Sequence, residues 1–326
     1  MIDHGVVWST HSANRANAGT LITGGGMTLT EGSRRGILFG GACLFGCAAA
    51  PRILSAKTGA DCPDLIASPP VSMTPAEQER HFIYLSLAMS MLCDGWGVDP
   101  RDPERVAAYA AEEPGRRFAD YLGHNIGALL VDRSGAIVCF ALNRNVQLNS
   151  TLEHAEARSV RAAIQRANAA QPPNGQPPWT FGSLLLEDCL YTTLEPCAQC
   201  AGIMDLARVG TVIYAQDDPG QRHIVNVLYN LGVQPRGPLP VRGTFLPAWP
   251  DLAAAYRRFS ESPSRGPRTG VTSFLETLDA FRIYRRAAAA FEKAEARHAA
   301  NDIVLRDARA FRERWRGTIQ SGLVPV

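Results

Sequence analysis

The sequence predicts an α/β protein, a mixed sheet flanked by helices, and three observations lead there. Between Asn125 and Leu231, short apolar runs alternate with helical stretches in the order β-β-α-β-α-β-α. The strands Leu184–Leu194 and Thr211–Ala215 lie on either side of a helical stretch, Ala198–Ala207, so that passage should be a parallel crossover. Stretches rich in Pro, Gly and Ser, at 51–73 and 261–272, separate this zone from its flanks.

Taken in order, residues 1–26 are small, polar and glycine-rich without periodicity, and are expected to be disordered. Gly24-Gly25-Gly26 directly before Met27 also suits an untranslated leader, with Met27 as the initiator. Residues 27–50 read as an export signal. Ser33-Arg34-Arg35-Gly36-Ile37-Leu38 is similar to the twin-arginine motif, and the apolar run Gly36–Ala50 is too short to span a bilayer. Leu44-Phe45-Gly46-Cys47 is similar to a lipoprotein cleavage box, which makes Cys47 a candidate lipid anchor. Export would deliver the chain to the periplasm or cell envelope. The other reading is a buried Gly/Ala-rich helix in a cytoplasmic protein.

After the linker 51–73, a helical region is expected over 74–122. Thr74 caps its first helix, Pro75 takes the first position, and His81 to Leu92 supply a broad apolar face. His81 reads there as structural. The zone 123–260 holds the sheet. Its first two strands, Asn125–Val131 and Ala136–Leu142, join at the turn Asp132-Arg133-Ser134-Gly135 as a hairpin. A helix from Ala155 to Ala170 follows, with Ser150 and Thr151 as candidate caps. Gln171–Pro178 is a proline-rich loop, and Ile224–Leu231 a last helix. Beyond the linker 261–272, residues 273–326 form an arginine-rich helical extension.

The net charge of +2 excludes a global polyanion-binding signal. Among the 33 basic residues only Lys57 and Lys293 are lysine, as a GC-rich genome would give. Eight cysteines at irregular spacing do not make a disulfide framework. Cys93, Cys139 and Cys189 fall in apolar contexts and read as core thiols.

Two motifs carry the chemistry: His154-Ala155-Glu156 and Pro196-Cys197-Ala198-Gln199-Cys200. Alone, each is ambiguous; C-x-x-C suits structural zinc, a redox pair or coincidence. Together they supply one imidazole and two thiolates for three corners of a zinc tetrahedron, leaving the fourth for water. Glu156 then has the position of a proton shuttle. In a regular helix, residues i and i+2 lie about 200° apart, so the H-x-E triplet should straddle a helix start. Cys197 and Cys200 should lie in the first turn of the second helix, where the dipole favours thiolate.

These motifs identify a resemblance. Gly127 to about Phe259 resembles the cytidine-deaminase-like superfamily, nearest to its tRNA adenosine deaminase and deoxycytidylate deaminase branch. Leu190-Tyr191-Thr192-Thr193-Leu194-Glu195-Pro196-Cys197, Ala201-Gly202-Ile203-Met204 and Ala207-Arg208-Val209 carry it. The resemblance implies a three-layer α-β-α fold with a central five-stranded mixed sheet, here with extra N- and C-terminal helices. It implies Zn2+ held by His154, Cys197 and Cys200, Glu156 as the catalytic residue, and substrate contacts at Asn143, Ala155 and Asp218. Gln199, the longer loop after Gln171 and the terminal segments depart from the tRNA enzymes, and the plan is more similar to accessory or toxin-like bacterial deaminases.

The expected function is hydrolytic removal of an exocyclic amine from adenine or cytosine, in nucleic acid or nucleotide, with ammonia released. The alternatives are a deaminase of free nucleosides or bases, guanine included, and a catalytically silent zinc-stabilised binding module. A homodimer is compatible with this organisation, and no stable membrane span is expected. The 273–326 extension has three readings. From Phe281 to Gly317 ten basic residues face five acidic ones, interleaved with aromatics. Such a segment packs on the core, pairs with another subunit, or tracks a phosphate backbone with its rings stacking on bases.

Overall fold

The computed structural model describes residues 6–8, 71–169, 184–221, 224, 225, 229, 238–262 and 270–320. All of them belong to one compact unit, which spans residues 1–10 and 65–326. The second unit, residues 11–64, lies outside the described residues, and with it the export signal, Arg34-Arg35 and the lipidation candidate Cys47. The loop Gln171–Pro178 lies outside them as well. No helix among the described residues is long and apolar enough to cross a membrane.

The elements are β1 (Val6–Trp8), α1 (Pro75–Asp94), β2 (Gly97–Val98), α2 (Pro103–Glu112), β3 (Ala119–Asp120), β4 (Gly127–Val131), β5 (Ile137–Leu142), α3 (Ala155–Ala169), β6 (Cys189–Thr192), α4 (Ala198–Leu206), β7 (Thr211–Tyr214), β8 (Leu239–Arg242), α5 (Trp249–Glu261), α6 (Val271–Phe274), α7 (Leu278–Lys293) and α8 (Asp302–Gln320). The main sheet runs β1-β5-β4-β6-β7-β8. β4 and β5 form the expected antiparallel hairpin, whose turn ends at Gly135 with φ +88°. β6 and β7 are parallel across α4, as the crossover requires, and β8 adds a further parallel strand.

The four strands read from the sequence are therefore present, β8 completes the five-stranded sheet that the resemblance implies, and a sixth strand, β1, lies at the opposite edge. β1 pairs antiparallel with β5, so three residues of the segment expected to be disordered belong to the sheet. β8 escapes a sequence reading because it is four residues long and contains Pro240. Proline is tolerated there because β8 is an edge strand, hydrogen-bonded on one side only. Within the region 74–122 expected to be helical, β2 pairs with β3 in a small parallel ladder.

Helices cover both sides of the sheet. α3 packs on β4 and β5 and touches α4, while α1 packs on β4, β6 and β7. α1 starts as its sequence dictates. The Thr74 hydroxyl accepts from the Glu77 N–H, and the Glu77 carboxylate accepts from the Thr74 N–H at 2.8 Å, a capping box. Every residue from Ile83 to Cys93 is buried, so α1 is a core helix and not an amphipathic one. The reason is α7 and α8, which pack along it. His81 is structural, its Nδ1 2.8 Å from the Tyr191 hydroxyl. Burial raises the Cys93, Cys139 and Cys189 thiols to about 11, 12 and 12, as expected of core thiols.

The arginine-rich extension is part of this core. Phe281, Tyr284, Phe291, Phe311 and Trp315 are all buried. Trp315 meets the Phe140 ring edge-on at 5.1 Å and donates its indole N–H to the Met91 carbonyl at 2.9 Å. The buried Arg312 guanidinium forks onto Asp94 at 2.7 and 3.0 Å. Arg282 and Arg285 pair with Glu112 and Glu113, and Arg286 with Asp251. The segment therefore packs on the core. Trp315→Ala should cost about 3–5 kcal/mol, read from the denaturant midpoint of the whole chain, because a large buried ring leaves a cavity that cannot fully collapse.

Candidate active site

Two helix N-termini converge on the site. α3 begins at Ala155, so His154 sits just before the helix and Glu156 inside its first turn, the straddle that the triplet requires. Ser150 and Thr151 do not cap it. The Asn143 Oδ1, from the end of β5, accepts from the Ala155 N–H at 2.6 Å. Glu153 clamps the turn ahead of His154: its carbonyl accepts from the Arg144 N–H, and its carboxylate accepts from Arg158 at 2.7 Å and from Arg161.

α4 begins at Ala198, which makes Cys197 its N-cap, not a residue of its first turn, and Cys200 its third residue. Cys197 makes no side-chain cap bond. That duty falls to Gln221, whose Oε1 accepts from the Ala198 N–H at 3.1 Å. The Cys197 sulfur is thereby left to point elsewhere. It lies 3.4 Å from His154 Nδ1, and the Cys200 sulfur lies 3.6 Å from the same nitrogen. All three donor atoms are within 4.8 Å of one another, the one such cluster among the described residues.

The donor set fits zinc. Zn–S of about 2.3 Å and Zn–N of about 2.0–2.1 Å at tetrahedral angles place sulfur and nitrogen about 3.5 Å apart. The protonation of the cluster points the same way. Hydrogen bonding with Cys200 and then with His154 pulls the Cys197 thiol down, while Cys200 is pushed up by the same pairing. Three lone-pair donors that share a proton between facing sulfurs are satisfied together by a divalent cation.

Glu156 is buried, and burial raises its carboxyl above the ordinary range. Its Oε2 lies 3.5 Å from the Cys200 sulfur and its Oε1 3.2 Å from the Thr192 hydroxyl, which also lies 3.1 Å from the Leu194 carbonyl. Thr192 can thus hold the carboxyl in both states. It donates to the carboxylate when Glu156 is ionised; when Glu156 is protonated, it accepts from the carboxyl and donates to Leu194. Sequence reading gave no role to Thr192 or Gln221, because Thr192 reaches Glu156 from 36 residues away and Gln221 reaches Ala198 from 23, where no local signal exists.

The three residues expected to touch substrate are placed as follows. Asn143 is buried, and its Nδ2 has no partner. The Ala155 N–H is engaged by Asn143. Asp218 donates its N–H to Glu195 Oε2 at 2.9 Å and accepts from the Gly220 N–H at 2.9 Å, in a turn of its own making. Burial raises its carboxyl.

Residues 101–216 match the family model described as the cytidine and deoxycytidylate deaminase zinc-binding region. Among curated proteins, the chain is similar to the tRNA-specific adenosine deaminase of Agrobacterium fabrum, 32% identical over 94 residues, 29% of this chain and 53% of that protein. It is similar to the guanine deaminase of Bacillus subtilis, 32% identical over 97 residues, 29% of this chain and 53% of that protein. It is similar also to the tRNA-specific adenosine deaminase of Aquifex aeolicus, 31% identical over 103 residues, 31% of this chain and 58% of that protein. The chain thus spans about half the length of the curated relatives it matches.

Proposed function

We propose, from a segment 101–216 that belongs to the cytidine-deaminase-like superfamily, that the chain is a zinc-dependent hydrolytic deaminase of nucleobases. The observation that carries the reading is the pairing of the His154, Cys197 and Cys200 donors with a buried carboxylate 3.5 Å from one of them. A structural metal site has no use for that carboxylate.

His154, Cys197 and Cys200 would hold the metal, which when bound supplies a water acidified for attack on the carbon that bears the amine. Glu156 takes the proton from that water, passes a proton to the ring nitrogen, and delivers one to the departing amine. Its raised carboxyl suits the acid half of this cycle, because a proton once taken is held until the leaving group needs it. Atoms balance: the base loses NH2 and gains oxygen from water, and ammonia leaves. Asn143 spends its Oδ1 on the helix start and keeps Nδ2 as a free donor, suited to an acceptor on the sugar or base. Asp218, on the segment that follows β7, is a second candidate for a substrate contact.

The test is ammonia release, with mass analysis of the product base, over free bases, nucleosides, nucleotides and single-stranded oligonucleotides. Asn143→Asp separates the two duties of that side chain: it keeps an oxygen for the Ala155 N–H and removes the free donor. Zinc content should stay unchanged, while kcat/KM falls about tenfold or more. Unchanged kcat/KM would make Asn143 a helix cap and nothing else.

A further inference from the structure

A cluster of ionisable side chains outside the metal site centres on Glu276, in the link between α6 and α7 of the C-terminal extension. Glu276 Oε2 accepts from Arg105 Nη1 at 2.7 Å. Its Oε1 accepts from the Tyr121 hydroxyl and lies 3.3 Å from His124 Nδ1. The Tyr121 hydroxyl lies 3.1 Å from the same nitrogen. Burial would raise the Glu276 carboxyl, but hydrogen bonds from His124, Tyr121 and Arg105 hold it well below the usual carboxylate range. The link itself is fixed from behind. The Tyr109 hydroxyl donates to the Glu276 carbonyl at 3.1 Å, and Asn125 Nδ2 donates to the Leu275 carbonyl at 3.2 Å.

His124 stands at the end of the sheet where the metal donors meet. β4 is antiparallel to β6 with Ala128 opposite Thr192, so the chain just before β4 lies at the same end as the passage that carries Cys197. Residues on both sides of His124 touch Asn143. The Ile126 carbonyl accepts from the Asn143 N–H at 3.0 Å. Gly123 packs so closely that a Cβ there would sit 3.1 Å from the Asn143 carbonyl oxygen. Asn143 is buried, whereas His124 is partly exposed, so His124 lies further out along the same wall. A carboxylate at Nδ1 fixes the ring proton there and leaves Nε2 as an acceptor. Nε2 makes no hydrogen bond among the described residues.

We propose that Glu276 orients His124 to accept a hydrogen bond from a sugar hydroxyl of the substrate, so that the chain takes its base as a nucleoside unit, free or in a strand, and not as a free base. The proposal rests on the deaminase reading for the place of the base, which reacts beside the buried Glu156. What the base carries on its outer side then passes the rim where His124 stands. A site built to bond a hydroxyl rejects the analogue that lacks one, because its own polar group is left unpaired. His124 is the group that touches substrate, and Glu276 is a positioning residue that acts through it. The C-terminal extension thereby has a part in substrate choice, beyond its packing on the core.

The test is titration calorimetry on the full-length, zinc-loaded chain carrying Glu156→Gln, so that probes are not consumed. The probes are free bases, their ribonucleosides and single-stranded trinucleotides. Adding His124→Phe keeps a ring and removes both nitrogens. Affinity for nucleosides and trinucleotides should fall about tenfold, the scale of one hydrogen bond, while affinity for free bases stays. Glu276→Gln should act in the same direction with His124 in place, and it carries the comparison should His124→Phe fail to fold. Nitrogen NMR of the His124 ring should show the Nδ1–H form in the parent and a mixture in Glu276→Gln; an unchanged ring would remove Glu276 from the role. A fall shared equally by the free bases, or no fall, overturns the proposal. So does a parent chain that binds no sugar-bearing probe more tightly than its base. Failure of the deaminase reading shows separately, as zinc-loaded wild type that releases no ammonia from any of these probes.

Discussion

Glu156→Gln should bind zinc as the wild type does and lose turnover by roughly 10²–10⁴-fold, the scale of one positioned proton-transfer group. Glutamine has nearly the same shape, and its amide oxygen can still accept from the Thr192 hydroxyl that lies 3.2 Å from Glu156 Oε1. Metal ligation is untouched, because His154, Cys197 and Cys200 supply the donor atoms. What is lost is the ability to take a proton from water and return it. Metal analysis of the purified variant, beside its ammonia release, separates the two roles. Lost zinc would make Glu156 a ligand, and retained turnover would remove it from the chemistry.

Cys197→Ser should lose zinc and stability together, and the helix position makes the experiment sharp. Cys197 is the N-cap of α4 and makes no cap hydrogen bond. Serine is among the best N-caps, so in the metal-free chain the substitution should be neutral or stabilising by up to about 1 kcal/mol. In the zinc-loaded chain it should be destabilising, by about 4 kcal/mol when free zinc stands about a thousandfold above the wild-type dissociation constant. Chelation should lower the wild-type melting temperature and leave the variant's where it was. Equal loss of stability with and without metal would mean that the sulfur serves packing, not ligation.

The core of the site was legible because its chemistry is encoded in residue identity and spacing. His154, Glu156, Cys197 and Cys200 meet where the two motifs imply, and the hairpin and the parallel crossover follow from the order of apolar runs. The groups that hold those motifs in place were not legible. Asn143 caps α3 from 12 residues away, and Gln221 caps α4 from 23 residues away. Neither lies where local capping rules look. β8 is short and carries a proline, so it falls below any strand signal. The aromatic and arginine pattern of the last helices suited both a packed helix and a strand-tracking arm. What decides between them is the set of acids opposite: Glu112 for Arg282, 170 residues away, and Asp94 for Arg312, 218 residues away. α1 looked like a one-sided helix for the same reason, since the helices that cover its second side come last in the chain.

In the proposed reaction this cluster exchanges an amine on a nucleobase for oxygen taken from water. The most direct measurement is mass spectrometry of the product base after reaction of the zinc-loaded chain in heavy-oxygen water, with ammonia counted in parallel. The predicted result is one heavy oxygen in the base for each ammonia released, and neither product from Glu156→Gln. A chain that carries one zinc on His154, Cys197 and Cys200 and yet leaves every base, nucleoside, nucleotide and oligonucleotide of the panel unchanged would contradict it.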